Sequence, residues 1–179
     1  ARLRAAGGRL EEQSGYRRRV DNGEQSATQQ AAIVLRWTMD ENDLTDALAL
    51  RERVFCEEQG VPLAEERDGR DGEALHLLAV ADDGRVVGTL RVLLAGETAK
   101  IGRVAVDRAW RRQGIASLML DGALEQASRR GCTRARLAAQ TDAIELYARA
   151  AFEVESERFM EAGIEHVWMG RGLASTPES

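Results

Sequence analysis

Arg103-Val104-Ala105-Val106-Asp107-Arg108-Ala109-Trp110-Arg111-Arg112-Gln113-Gly114-Ile115-Ala116 decides how this chain is read. A β-branched strand runs into an arginine-rich turn, and small residues then open a long helix. The first amide groups of a helix have no intrahelical acceptor, and the helix dipole adds partial positive charge there. Such a start holds phosphate or pyrophosphate. Gly114 and Ala116 allow the ligand close to the backbone.

Two other phosphate loops do not fit. The P-loop ends in Gly-Lys-Ser/Thr, but the only lysine, Lys100, precedes the strand. The dinucleotide fingerprint needs three spaced glycines, and Gly114 stands alone. What remains is Arg/Gln-x-x-Gly-x-Gly/Ala, met by Arg111, Gly114 and Ala116. The strand Ile101 to Val106 before it and the helix directly after it give this short pattern its meaning.

Working outward, Ile33 to Trp37 reads as a first strand, and capping residues between Thr38 and Asp43 open a helix carrying Leu44, Ala47, Leu48, Arg51, Val54 and Phe55. Gly60 and Pro62 stop it. Glu65, Glu66, Asp68 and Asp71 make residues 65–73 acidic, which reads as a solvated turn or as an electrostatic guide for a cation. Ala74 to Val80 and Arg85 to Leu94 read as a hairpin about Asp82-Asp83-Gly84. After the motif, Ala116, Met119, Leu120, Ala123, Leu124 and Ala127 form one apolar stripe on a helix from Ile115 to Arg130. The strand Arg134 to Gln140, a short helix around Tyr147, and closing strands near Glu153 to Phe159 and Ile164 to Met169 complete the order. The class is α/β, and the β-α-β unit at the motif implies a parallel pair.

The chain has 179 residues, enough for one domain with a real core. Residues 1–30, rich in Gly, Gln, Ser and Arg, read as a disordered tail, residues 31–173 as a single domain, and residues 174–179 as a C-terminal tail. The net charge of −5 divides into +2 for the first 30 residues and −7 for the rest. An acidic body argues against a general nucleic-acid partner. No apolar run reaches the roughly 18 residues of a membrane helix, so no membrane partner is expected. Cys56 and Cys132 have neither disulfide nor metal spacing. A reduced, cytoplasmic setting and no metal are expected.

The motif turn, the helix after it, and Ala143-Ile144-Glu145-Leu146-Tyr147-Ala148-Arg149-Ala150-Ala151-Phe152 resemble the GNAT superfamily of acetyl-CoA-dependent N-acyltransferases. The last segment matches A-x-x-L-Y-x-x-x-G-F, with Ala151 in place of the glycine. Val54-Phe55-Cys56-Glu57-Glu58-Gln59-Gly60-Val61-Pro62 and the Gly163, Ile164, His166, Met169 pattern resemble a small prokaryotic subgroup. The resemblance runs from about Ile33 to Met169. It implies a mixed, mostly antiparallel central sheet of about six to seven strands, a splayed parallel pair, and helices on both faces.

It also implies acetyl-CoA as co-substrate and a small-molecule or peptide amine as acceptor; family members are often homodimers. Carried onto this chain, cofactor binding falls on Val104, Ala105, Val106, Arg111, Arg112, Gln113, Gly114, Ile115, Ala116 and Ser117. Arginines 108, 111 and 112 would add charge near the phosphates. Tyr147 is the family-matched proton donor to the leaving thiolate. For the base, Glu58 and His76 are substrate-side candidates with His166 behind them, and a water relay is an equal alternative. A non-catalytic acyl-CoA sensor or interaction module is the competing class.

Overall fold

In the computed structural model, residues 32–174 are described; the two tails predicted from composition lie outside them, apart from Ala174. The strands are β1 (Ile33–Trp37), β2 (Leu75–Ala81), β3 (Val86–Ala95), β4 (Thr98–Val106), β5 (Arg134–Gln140), β6 (Glu153–Val154), β7 (Phe159–Glu161) and β8 (Ile164–Gly172). The helices are α1 (Glu41–Arg51), α2 (Leu63–Glu66), α3 (Ile115–Arg129) and α4 (Ile144–Arg149), and α1 runs on as a π-helical turn, Glu52–Glu58. The order across the sheet is β1-β2-β3-β4-β5-β8-β6, with β7 also paired to β8. Every pairing is antiparallel except β4 with β5.

Local chemistry explains the helix ends. Asp40 caps α1 by accepting from the Asp43 amide at 2.9 Å, which satisfies one of the free N–H groups. Gly60, at φ +72°, turns the chain after the π-helical turn. The apolar stripe of α3 enters the core: Ile115, Leu118, Met119, Leu120, Ala123, Leu124 and Ala127 are buried, and full burial of a leucine such as Leu120 stabilises the fold by about 2 kcal/mol.

Strand alternation sorts the sheet into two faces. Ala99 and Ile101 of β4, Ala135, Leu137 and Ala139 of β5, and Val167 and Met169 of β8 share the large core with α3. On the opposite face, Leu50 and Val54 pack on Ala105, so α1 and its π-helical extension cover that side of β3 and β4.

The chain departs from the sequence reading at its closing strands. Glu153 to Phe159 is not one strand. Ser156 Oγ accepts from the Trp168 amide at 2.9 Å, and Glu155 turns over Gly170 to meet Arg134 and Arg136. The Glu155 amide still donates to the Trp168 carbonyl at 2.8 Å, but the Ser156 side chain takes the return bond, and the edge breaks into β6 and β7.

Candidate active site

The parallel pair opens almost as soon as it forms. Thr98, Ala99 and Lys100 pair with Arg134, Ala135 and Arg136, and pairing ends there. Beyond that apex β4 stays on β3 through Val106, and β5 stays on β8 through Gln140. Each strand keeps one satisfied edge and turns an unpaired edge toward the gap, where backbone amides and carbonyls need partners. A cleft of about 1010 Å³ fills the gap and continues past it on both sides.

One register shift shapes the β4 wall. Thr89 pairs with Ala105 but Arg91 pairs with Gly102, so β4 carries an extra residue: a β-bulge. Arg103 takes φ +52° within it, a conformation that costs a non-glycine residue about 1 kcal/mol. The bulge moves the core-facing positions from Ile101 to Val104 and Val106, both packed on the large core.

At one end of the cleft stands the start of α3. Gly114 caps it at φ +79°, and Arg112 precedes it at φ +64°. Arg111, Arg112, Gly114, Ile115, Ala116 and Ser117 line this end. Gln113 is exposed and faces back to the Ala109 carbonyl at 3.4 Å. Arg111 is already engaged, by Val106 O at 2.9 Å and by Glu58 at 2.7 Å. Arg112 and Arg149 line the cleft with no carboxylate partner among the described residues. Lys100 also lines it, over the Trp168 ring at 5.1 Å; Arg149 was not anticipated from sequence.

Val104 and Val106 line the cleft, whereas the Ala105 side chain packs on Leu50 and Val54. Tyr147 also lines it, is 7% exposed, and meets Phe152 edge-on at 6.3 Å. Burial, and then the charge of Asp142, push its hydroxyl up to about 12.

The remaining predicted residues lie elsewhere. His76 is 2% exposed and outside the cleft lining. Its Nε2 meets the Asp71 carbonyl at 3.0 Å, and its Nδ1 is buried without a partner. Burial lowers its pKa more than Asp71 restores it. Glu58 is held by Arg111 and is likewise not among the lining residues. His166, ranked last from sequence, is the histidine in the cleft wall.

The acidic segment is neither a solvated turn nor a free electrostatic guide. Glu66 pairs with Arg51 at 2.5 Å, and both side chains are wholly buried. Arg51 also reaches Asp71 at 2.6 Å. Asp68 binds Arg91 through both oxygens, at 2.6 and 2.7 Å, and that hydrogen bonding holds its carboxyl well below the usual range. Arg103 closes the block on Glu66 and Asp68. Arg67 also reaches Glu66, at 3.0 Å, so four arginines face three acids, and each buried charge has a partner. The available hint was Arg91 itself, a cation inside an otherwise apolar strand.

Together these parts form one cleft: the amide-lined start of α3 at one end, open strand edges in the middle, Tyr147 beside them, and an ion-paired wall at the far end.

Known proteins resemble this chain in sequence and fold. Residues 37–152 match the profile of the Acetyltransferase (GNAT) family. The uncharacterized N-acetyltransferase YjcF of Bacillus subtilis is 34% identical over 131 residues, covering 73% of this chain and 93% of that protein. The crystal structure of an acyl-CoA N-acyltransferase from Pseudomonas aeruginosa superposes with a TM-score of 0.69 at 34% identity, covering 76% of this chain and 99% of that one. Escherichia coli ElaA gives a TM-score of 0.68 at 27% identity over 76% and 99% of the two chains. With the profile spanning more than half of its length, the chain belongs to the GNAT acetyltransferase family, whose general chemistry is acyl transfer.

Proposed function

We propose that the protein transfers an acetyl group from acetyl-CoA to an amine by direct attack on the thioester. The observation that carries this reading is the pair of open strand edges leading from the amide-lined start of α3 to Tyr147. A pantetheine arm carries its own amides and pairs with such edges as an added strand does. Its diphosphate suits the amides of residues 114–117 together with Arg112 and Arg149.

Each residue then has a defined task. The bulge releases the backbone near Val104 from the β3 ladder and leaves an N–H for the carbonyl oxygen as it gains charge. Tyr147, protonated throughout the neutral range, gives its proton to the departing thiolate. The ion-paired wall offers the acceptor a shaped surface whose carboxylates Glu66, Asp68 and Asp71 are already held by arginines, so affinity for the amine should depend little on these acids.

Calorimetry with acetyl-CoA and with CoA tests the reading directly, followed by a thiol-release screen over amines. Binding with amine-dependent release of CoA supports transfer. Binding without release for any amine points to a sensor, and absence of binding by the folded protein removes the reading altogether.

A further inference from the structure

Resting on the transfer reading, we infer that His166 Nε2 is the general base that deprotonates the acceptor amine. The amine must be neutral to attack, and a lysine-like ammonium has a pKa of about 10.4.

The face of the sheet places the residue. Val167 and Met169 of β8 point into the large core, so His166 points to the opposite face. Its strand partner there is Gln140 of β5. Gln140 lines the same cleft and accepts no core role: its Nε2 donates to Gln59 Oε1 at 2.9 Å, across the cleft mouth. Tyr147 belongs to the core on the α3 side. Acid and base therefore flank the open gap from opposite faces of the sheet, as a direct transfer between two reactants meeting in the gap requires.

The ring's hydrogen bond fixes its chemistry. His166 Nδ1 lies 2.8 Å from the Ile164 carbonyl. A carbonyl only accepts, so Nδ1 carries the proton and Nε2 of the neutral ring holds a lone pair. Phe159 stacks on the ring at 5.9 Å and 24°, holding its plane. The other histidine is the reverse case: His76 Nε2 donates to Asp71, and its Nδ1 is sealed in the protein. Titratable groups lining the same cleft include Glu161 of β7, Asp142 in the turn after β5, Arg149 of α4, Glu65 of α2 and Lys100 of β4; Lys100 and Arg136 lie over the Trp168 ring, two residues along β8, and Arg158, just before β7, pairs with Glu165.

In the step, Nε2 takes one proton from the ammonium. The nitrogen lone pair attacks the thioester carbon, the C–N bond forms and the C–S bond breaks. The thiolate takes the Tyr147 proton, and the second amine proton restores Tyr147 through solvent. His166 returns its proton to water.

The variant His166→Asn keeps a donor for Ile164 O and removes the Nε2 base. Acetyl-CoA affinity by calorimetry should stay within about twofold. Thiol release with methylamine, a fully protonated acceptor, should fall about 100-fold. Release with hydroxylamine, mostly neutral at the same pH, should fall less than about threefold, because no ammonium needs deprotonation. Equal losses with both acceptors, or no loss, would overturn the assignment. Long-range proton–nitrogen NMR on the wild type decides the geometry independently, since the chain has only two histidines. Neutral His166 should appear as the Nδ1–H tautomer, and an Nε2–H tautomer overturns the inference whether or not the protein proves to be a transferase. Failure to bind acetyl-CoA would instead count against the transfer reading.

Discussion

Arg103 Nη2 donates to the main-chain carbonyl of Glu66 at 3.1 Å, linking the bulged strand beside the gap to the short helix α2 at its far end. The same nitrogen reaches Glu65 O at 3.1 Å, and Nε reaches Glu66 O at 3.3 Å. One side chain thus fixes the ion-paired wall to the bulged strand beside the gap.

Replacing Arg103 separates this clamp from the backbone bend. Glycine accepts φ +52° freely, so Arg103→Gly keeps the bulge and loses the clamp. Amide exchange across residues 63–71 should accelerate at least about tenfold, and acceptor KM should rise with little change in acetyl-CoA affinity. Arg103→Ala should lose the same clamp and be less stable than the glycine variant by about 1 kcal/mol, the left-handed strain. Unchanged exchange in both variants would show that α2 is held by other means.

Tyr147→Phe should lower kcat about tenfold to 100-fold while leaving acetyl-CoA affinity within about twofold. With the hydroxyl pushed up to about 12, the wild-type rate should show no alkaline decline from this residue through the ordinary assay range. A full-rate phenylalanine variant assigns thiolate protonation to water.

Ala151 stands where the family pattern has glycine, and it sits at φ +60°. Ala151→Gly should raise stability by up to about 1 kcal/mol in chemical denaturation, the relieved strain less the greater freedom of glycine in the unfolded chain. A destabilised glycine variant would mean that the methyl group's packing outweighs its backbone strain.

Acid should unfold this protein through its arginine-paired block. Burial opposes the ionisation of Asp71, but the hydrogen bonds and charges of Arg51 and Arg91 outweigh it and lower its pKa from 3.8; Asp68 is lowered as well, chiefly by its hydrogen bond to Arg91. Groups with depressed folded-state values stabilise above the unfolded value and lose that contribution as pH falls through the folded one. Urea unfolding measured downward from pH of about 4 should therefore show falling stability, with a shallower dependence in Arg91→Met. An equal slope in that variant would place the acid sensitivity in other carboxylates.

The sequence carried the elements whose information is local. The α3 stripe, the glycine cap and the β-branched strand before it follow from spacing and backbone preference, and they locate the amide-lined end of the cleft. Tyr147 was singled out from its motif, and the fold places it in the cleft lining. The closing edge was read as too regular, because the pairing of Ser156 with the Trp168 amide joins residues 12 apart.

Which charges neutralise one another was a tertiary matter. Arg51 lies 15 residues from Glu66, and Arg103 lies 37 from it, so no local pattern distinguishes a buried ion pair from a solvated acidic turn. Where the two histidines lie was decided the same way. Both occupy strands, and a one-residue change of register reverses a side chain's face; only the pairing of β8 with β5 turns His166 to the cleft, while the packing over β2 seals His76. Periodicity along the chain thus determines what each segment becomes, whereas the long-range register of the strands, fixed by burying one apolar face, determines which polar groups meet.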